Sequence, residues 1–241
     1  MKNIPFAPLE PHVVLGIAAH PDDLDFGAAG TMAWFASQGA EVHYLILTDG
    51  SKGSEDLQVS PEELMKIREA EQRKAVQAVG GGGVEFLGYP DGMLEVSMEL
   101  KKEIVKVIRS LKPDVVITMD PSVLYAADRG FINHPDHRAA GQAALDAVFP
   151  LARDHLSFPD LYKAGYLPHK TKTVLLTNFD RSNFYVDITA TFERKLSALG
   201  AHASQIPDME RTARFMEERA RAAGKEAGCE LAESFVRIDV G

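Results

Sequence analysis

An α/β fold, Rossmann-like and doubly wound, with a mostly parallel sheet and helices on both faces, follows from three observations on the sequence. Apolar, β-branched runs recur with helix-period segments between them. The runs are too continuous to be half-exposed hairpin strands, as befits strands covered on both faces. Clusters of histidine and aspartate stand directly behind the strand ends, where such a sheet binds its ligands. With no internal repeat and no low-complexity linker, residues 1–241 are expected to form a single domain.

The first strand is expected over 12–18 (HVVLGIA), followed by a helix over 27–38 and a second strand over 41–48 (EVHYLILT). The next helix, 62–79, is announced by Ser60-Pro61, an N-cap residue followed by a proline suited to the first turn. Gly80 to Gly83 follow that helix and precede strand 84–89 (VEFLGY), so they end a helix and do not cradle a phosphate. Helix 98–111, strand 114–119 (DVVITM), a mixed loop 120–133 and helix 137–148 continue the alternation. Residues 150–172 lose any clear period and read as loop with short helix. Strand 172–177, helices 190–203 and 207–227 and a closing strand over 234–240 complete the chain.

Composition narrows the function classes. Apolar residues make up 45% of the chain, enough for a sizeable core. A net charge of -9 argues against a broad basic face for nucleic acid or anionic lipid, which leaves a small-molecule ligand as the expected partner. Cys229 is the only cysteine, so no internal disulfide can form, and a reducing cytoplasm is the default location. The amino-terminal stretch lacks the apolar run of a signal peptide, and no segment approaches membrane-spanning length, so no membrane partner is expected.

Four groups follow strand ends: His20 to Asp23, Thr48 to Gly50, Pro90 to Gly92, and His134 to His137. Each aspartate, taken singly, could cap the helix behind it. Two His-Pro-Asp clusters at carboxyl ends of one sheet favour a shared site instead. A histidine and an aspartate three residues apart on a turn, joined by a histidine from another loop, make three ligands with an open position, as in catalytic zinc sites. Two histidines and a carboxylate also suit Fe2+, so a non-haem iron oxygenase is a chemical rival. A carboxylate poised beside the metal as a base favours hydrolysis. A nicotinamide cofactor is disfavoured, because the position of the dinucleotide fingerprint holds HPDD and no glycine cradle.

AHPDD at 19–23 with HPDH at 134–137 resembles the PIG-L/LmbE-like zinc-dependent N-acetylglucosaminyl deacetylase family. Supporting matches run through LTDG (47–50), Arg68 and Glu71, LGYPDG (87–92) and AHASQ (201–205). The resemblance implies a Rossmann-like fold and removal of an N-acetyl group from a glucosamine-type sugar or conjugate, with cleavage of a sugar-thiol conjugate amide as the near alternative. It implies His20, Asp23 and His137 as zinc ligands and Asp22 as general base. His134 would stabilise the oxyanion, protonated through pairing with Asp136, which would orient it. Arg68 matches a family position that contacts the substrate and His202 a family segment near the entrance; Asp49 and Asp91, each before a glycine at a strand end, are expected at the mouth of the crevice as acceptors of sugar hydroxyls, and Tyr125 and Arg129 on loop 120–133 are expected to help select the substrate, with that loop as a lid. Members often assemble as oligomers, which implies a homo-oligomer, although no stretch of this chain identifies an interface. Ser51-Lys52 stands where many members carry an acidic residue, a departure that bears on substrate identity.

Overall fold

The computed structural model describes residues 8–127, 130–177 and 181–241. Seven strands form one sheet: β1 (Val13–Ala18), β2 (Glu41–Thr48), β3 (Gly83–Tyr89), β4 (Val115–Met119), β7 (Thr173–Thr177), β8 (Phe184–Asp187) and β9 (Ala232–Asp239). Their order is β3-β2-β1-β4-β7-β9-β8. The first five in this order run parallel, and β9 pairs antiparallel with both β7 and β8. The doubly wound expectation therefore holds. The chain winds outward from β1 through β2 to β3, then crosses back to β4 on the other side of β1. That reversal opens a crevice beyond the carboxyl ends of β1 and β4.

Alternation along β1 feeds two cores. Val14 and Ala18 pack with helices α1 (Asp23–Ser37), α2 (Pro61–Val79) and α6 (Phe192–Gly200), through Phe35, Val76 and Leu199. Leu15 and Ile17 point the other way, onto α3 (Met98–Leu111) and α4 (Pro135–Val148), through Ile104, Ile108 and Ala140. The period of two along the strand thus covers both faces of the sheet. Helix α7 (Met209–Ala227) packs with the first of these cores through Met216 and Ala220.

Local chemistry sets the helix starts. Ser60 and Glu63 form a reciprocal capping box at α2, with Ser60 Oγ accepting from the Glu63 N–H at 3.2 Å. Helix α1 begins at Asp23, ahead of the expected 27, because Asp22 turns the chain with φ 91 and lets helix geometry start at once. Gly141 is required by packing: a Cβ there would overlap the Met119 carbonyl oxygen, so only glycine lets α4 lie against the end of β4.

The sequence reading missed two features. Strand β8 is four residues on a sheet edge, too short for its alternation to register. Loop 120–133 carries a two-residue ladder, β5 (Tyr125–Ala126) with β6 (Phe131–Ile132). The short helix expected within 150–172 is α5 (Pro159–Lys163). Among the described residues, no helix is long and apolar enough to cross a membrane.

Candidate active site

The switch-point crevice collects the two His-Pro-Asp turns. His20 follows β1, and its ring lies 4.7 Å from that of His134 and 5.3 Å from that of His137, between centroids. The His134 and His137 rings are 5.2 Å apart, so three imidazoles from two segments more than a hundred residues apart face one small volume.

Asp23 lies between two of them. Its Oδ2 is 3.4 Å from His20 Nδ1 and its Oδ1 is 3.1 Å from His137 Nε2. The two contacts use different oxygens of the one carboxylate, so Asp23 bridges the two imidazoles. The outer nitrogens are oriented as well. His137 Nδ1 lies 3.2 Å from Asn133 Oδ1, and Asn133 Nδ2 donates to the Val123 carbonyl at 2.8 Å. His20 Nε2 lies 3.2 Å from both Asp91 Oδ1 and Asp136 Oδ2. An imidazole that donates one N–H to a fixed acceptor presents the other nitrogen as a lone pair, which is how ligating histidines are oriented. Burial opposes charge on His20, yet Asp23 and Asp91 overcome it and push its pKa up to about 10. Burial likewise works against the Asp23 carboxylate, but the facing His137 and His20 hold its pKa far below the usual range.

Among the described residues, the donor atoms within 4.8 Å of one another form two groups that meet at His20: one with His134 and His137, the other with Asp91 and Asp136. These carboxylates, like Asp23, whose Oδ2 takes the His20 N–H at 2.7 Å, also accept backbone N–H groups. Asp136 accepts from the Gly92 N–H at 2.7 Å and the Leu94 N–H at 3.2 Å, and Asp91 accepts from the Lys52 N–H at 3.1 Å. Their spare capacity goes to orienting His20, whereas Asp23 and His137 border an open cavity.

Asp22 stands beside this centre with a different environment. Burial, then the negative charge of Asp23, raises its pKa to about 7, with Arg68, His202 and His20 pulling the other way. A carboxylate poised there suits a general base near neutral pH. Although it occupies the N-cap position of α1, its side chain makes no capping hydrogen bond.

Several expected roles are relocated. Arg68 is buried at 5% exposure and acts as a clamp: Nη1 donates to the Gly50 and Lys52 carbonyls at 3.1 Å each, and Nη2 to the Pro21 carbonyl at 2.8 Å. These bonds brace the loops that carry the site. His202, expected near the entrance, has no exposed surface and pairs with Asp25 at 2.8 Å beneath α1. Asp25 also accepts from Gln72 Nε2 at 2.8 Å, while Gln72 Oε1 takes the Asp22 N–H at 2.8 Å. The AHASQ segment is pinned by Glu71, which accepts from the Ser204 N–H and hydroxyl. Asp49 Oδ1 accepts from the Ser51 and Asp91 N–H groups, so it shapes the two turns in place of reaching outward. The expected pairing of the His134 ring with the Asp136 carboxylate is not formed. His134 Nδ1 instead accepts the Asp136 backbone N–H at 3.2 Å, and burial with the charge of His20 lowers its pKa, so a neutral ring donating from Nε2 replaces the expected imidazolium. Tyr125 is 63% exposed on the short hairpin, and Arg129 lies outside the described residues.

Asn133 and Gln72 were not singled out from the sequence. Asn133 directly precedes HPDH and could have been suspected as the partner of His137. Gln72 carries no such signal, because only the crossing of α2 over the first turn brings it to Asp22.

Residues 15–148 match the PIG-L family, described as GlcNAc-PI de-N-acetylase. The chain is 37% identical to the diacetylchitobiose deacetylase of Thermococcus kodakarensis over 81% of its own length and 70% of that protein. Its structure is similar to that of the N,N'-diacetylchitobiose deacetylase from Pyrococcus horikoshii in complex with the inhibitor MPG, with TM-score 0.88, 31% identity and coverage of 95% and 85% of the two chains. It also shares its fold with GalB from Pseudomonas putida, a 4-carboxy-2-hydroxymuconate hydratase, at TM-score 0.79 and 20% identity, covering 95% and 97%. A hydratase on the same fold means that the reaction must be argued from the side chains.

Proposed function

The chain belongs to the PIG-L family, and from that premise we propose that it is a zinc-dependent hydrolase removing the N-acetyl group from an N-acetylglucosamine-type sugar or conjugate. The observation that carries this reading is the convergence of His20, Asp23 and His137 beside a carboxylate, Asp22, whose pKa is raised to about 7. PIG-L deacetylases are metal-dependent, and two imidazoles with one carboxylate suit zinc. Bound there, zinc would polarise the acyl carbonyl and lower the pKa of water toward about 7.

The chain's own groups account for the rest. Asp22 takes the proton of the attacking water, and the proton then passes to the leaving amine, which departs poorly unless protonated. His134 Nε2–H donates to the oxygen on which charge develops. Asp91 and Asp136 hold the His20 ring, and Asn133 holds that of His137, which would let both rings bind a metal with little reorganisation. Arg68 fixes the Pro21 carbonyl and thereby the backbone that aims Asp22. The reduced, acidic composition supports a cytoplasmic location.

Acetate release from N-acetylglucosamine, N,N'-diacetylchitobiose and glycosides of N-acetylglucosamine tests the reading, with protein loaded with zinc, stripped by chelator and reloaded. Release that is lost on stripping and restored by zinc is the expected result. Stoichiometric metal with no acetate from any of these compounds would overturn the substrate class.

A further inference from the structure

A cavity of about 320 Å³ opens directly off the metal-binding residues, and the proposed deacetylation leaves most of it unused. It lies beyond the carboxyl ends of β4 and β7, with Asp23 and His137 on one wall. Phe26, Phe131, Met216, Ala220 and Ala223 supply apolar lining. Lys195 and Glu233 on its wall compensate each other. Lys195 Nζ gives its three donors to the Asp25 carbonyl, the Phe26 carbonyl and Glu233, the last at 2.7 Å, and Asp120 and Arg219 carry opposite signs.

The machinery surrounding the reacting amide is divided between two sides. Asp22, which must reach the leaving nitrogen, lies toward Arg68 and the Gly50–Lys52 turn, 3.5 Å from Arg68 Nη2, and does not line the cavity. Asp91, the polar group nearest His20 on that side, is likewise outside it. A scissile amide whose nitrogen points to Asp22 while its carbonyl carbon sits against Asp23 and His137 directs its acyl substituent the opposite way, into the cavity. An acetyl methyl is about the size of one water, whose share of liquid volume is about 30 Å³. Acetyl alone would leave an apolar chamber several times larger than itself.

We propose that this cavity is an acyl subsite and that the chain hydrolyses N-acyl amino sugars with linear, uncharged acyl chains of about four to six carbons in addition to N-acetyl ones. The inference rests on the amidohydrolase reading above and deepens its substrate class. The reaction is unchanged in balance: the water oxygen bonds to the acyl carbon, the C–N bond breaks, the fatty carboxylate forms in the cavity, and both water protons end on the departing nitrogen on the Asp22 side, which leaves as an ammonium. Each methylene buried in the apolar wall favours the longer substrate.

The test compares N-acetyl-, N-butanoyl- and N-hexanoyl-glucosamine on the zinc-loaded enzyme. The expected kcat/KM for the butanoyl and hexanoyl compounds equals or exceeds that for acetyl. The variant Ala223→Leu, which fills part of the chamber, is expected to lower the hexanoyl-to-acetyl ratio of kcat/KM at least tenfold. Hexanoate is expected to raise Tm of the zinc-loaded protein more than acetate does at equal concentration, a readout independent of turnover. Acetyl turnover with a hundredfold or greater fall at butanoyl would overturn the subsite and leave the deacetylase reading intact. Absence of turnover on every N-acyl-glucosamine would overturn both. Should Ala223→Leu fail to fold, the chain-length series on the unaltered enzyme decides the matter alone.

Discussion

In the first His-Pro-Asp turn the helix begins after the aspartate; in the second it begins at the proline. Asp22 therefore sits at the N-cap of α1 with φ 91 and a carboxylate that makes no capping bond and, among the described residues, meets only Arg68, at 3.5 Å, whereas Asp136 lies inside the first turn of α4. There its carboxylate is spent on two loop N–H groups and His20. His134, and not an aspartate, caps α4, with its Nδ1 on the Asp136 N–H. One tripeptide thus yields a reactive acid in one place and a structural one in the other. The difference arises from two residues of offset between the motif and the helix start. The first turn is also braced from outside, by Arg68 of α2, while the second is braced by Arg138 of its own helix, which donates to the Asn133 carbonyl.

If this asymmetry is right, Asp22→Asn lowers kcat by about 10²–10⁴-fold with zinc content unchanged. Asp136→Ala, by contrast, leaves the Gly92 and Leu94 N–H groups unpaired and lowers stability by about 1–3 kcal/mol. Metal analysis and steady-state kinetics on the first variant, with thermal unfolding on the second, check the pair. An Asp22→Asn enzyme keeping more than a tenth of its turnover breaks the comparison.

The external brace gives the next effect. Arg68→Ala removes three buried hydrogen bonds to the loops and is expected to lower stability by about 3 kcal/mol, or Tm by about 6–12 °C for a chain of this size. An unchanged Tm with a large rise in KM would reinstate Arg68 as a substrate contact.

The raised pKa of Asp22 makes a signed prediction for the metal-free protein. Its carboxyl goes from an ordinary value of 3.8 to about 7 on folding, so the folded state holds the proton more tightly. Stability present below pH 3.8 is lost as pH rises through about 7. The Asn variant has no such loss, so relative to wild type it gains about 2 kcal/mol between pH 4 and 8, a figure reduced because the carboxylate is partly exposed. Urea unfolding at the two pH values measures this, and parallel pH dependence of the two proteins would refute it. Bound zinc places positive charge beside Asp22, and the acid limb of kcat/KM is expected to fall below pH 7 accordingly.

The smallest effects lie away from both turns. Asp49→Asn keeps an oxygen for the Ser51 and Asp91 N–H groups, and Tyr125→Phe alters an exposed ring. Each is expected to change kcat/KM less than threefold and stability by under about 0.5 kcal/mol. A tenfold loss in Tyr125→Phe would sharpen the picture by giving the hairpin a role in substrate binding.

Much of the fold was legible because buried parallel strands and amphipathic helices leave their periods in the sequence. The charged clusters were legible because polar residues directly behind an apolar run are rare outside caps and sites. What failed to show was which atoms those residues face. Arg68 and His202 read as residues facing the substrate, and helical spacing says nothing of what covers a helix: loops 21–22 and 50–52 bury the first and α1 buries the second. Asp25 and Gln72, one a helix carboxylate and the other an unremarkable amide, became the layer beneath Asp22 only through the packing of α2 on α1.

The sequence by itself determined the buried parallel strands and the charged clusters directly behind them, because short-range pattern suffices for these. Only the tertiary structure decided how the gathered residues divide their work. Hydrogen-bond partners, burial and the offset of each helix start depend on contacts between segments dozens to hundreds of residues apart, and no local pattern encodes them.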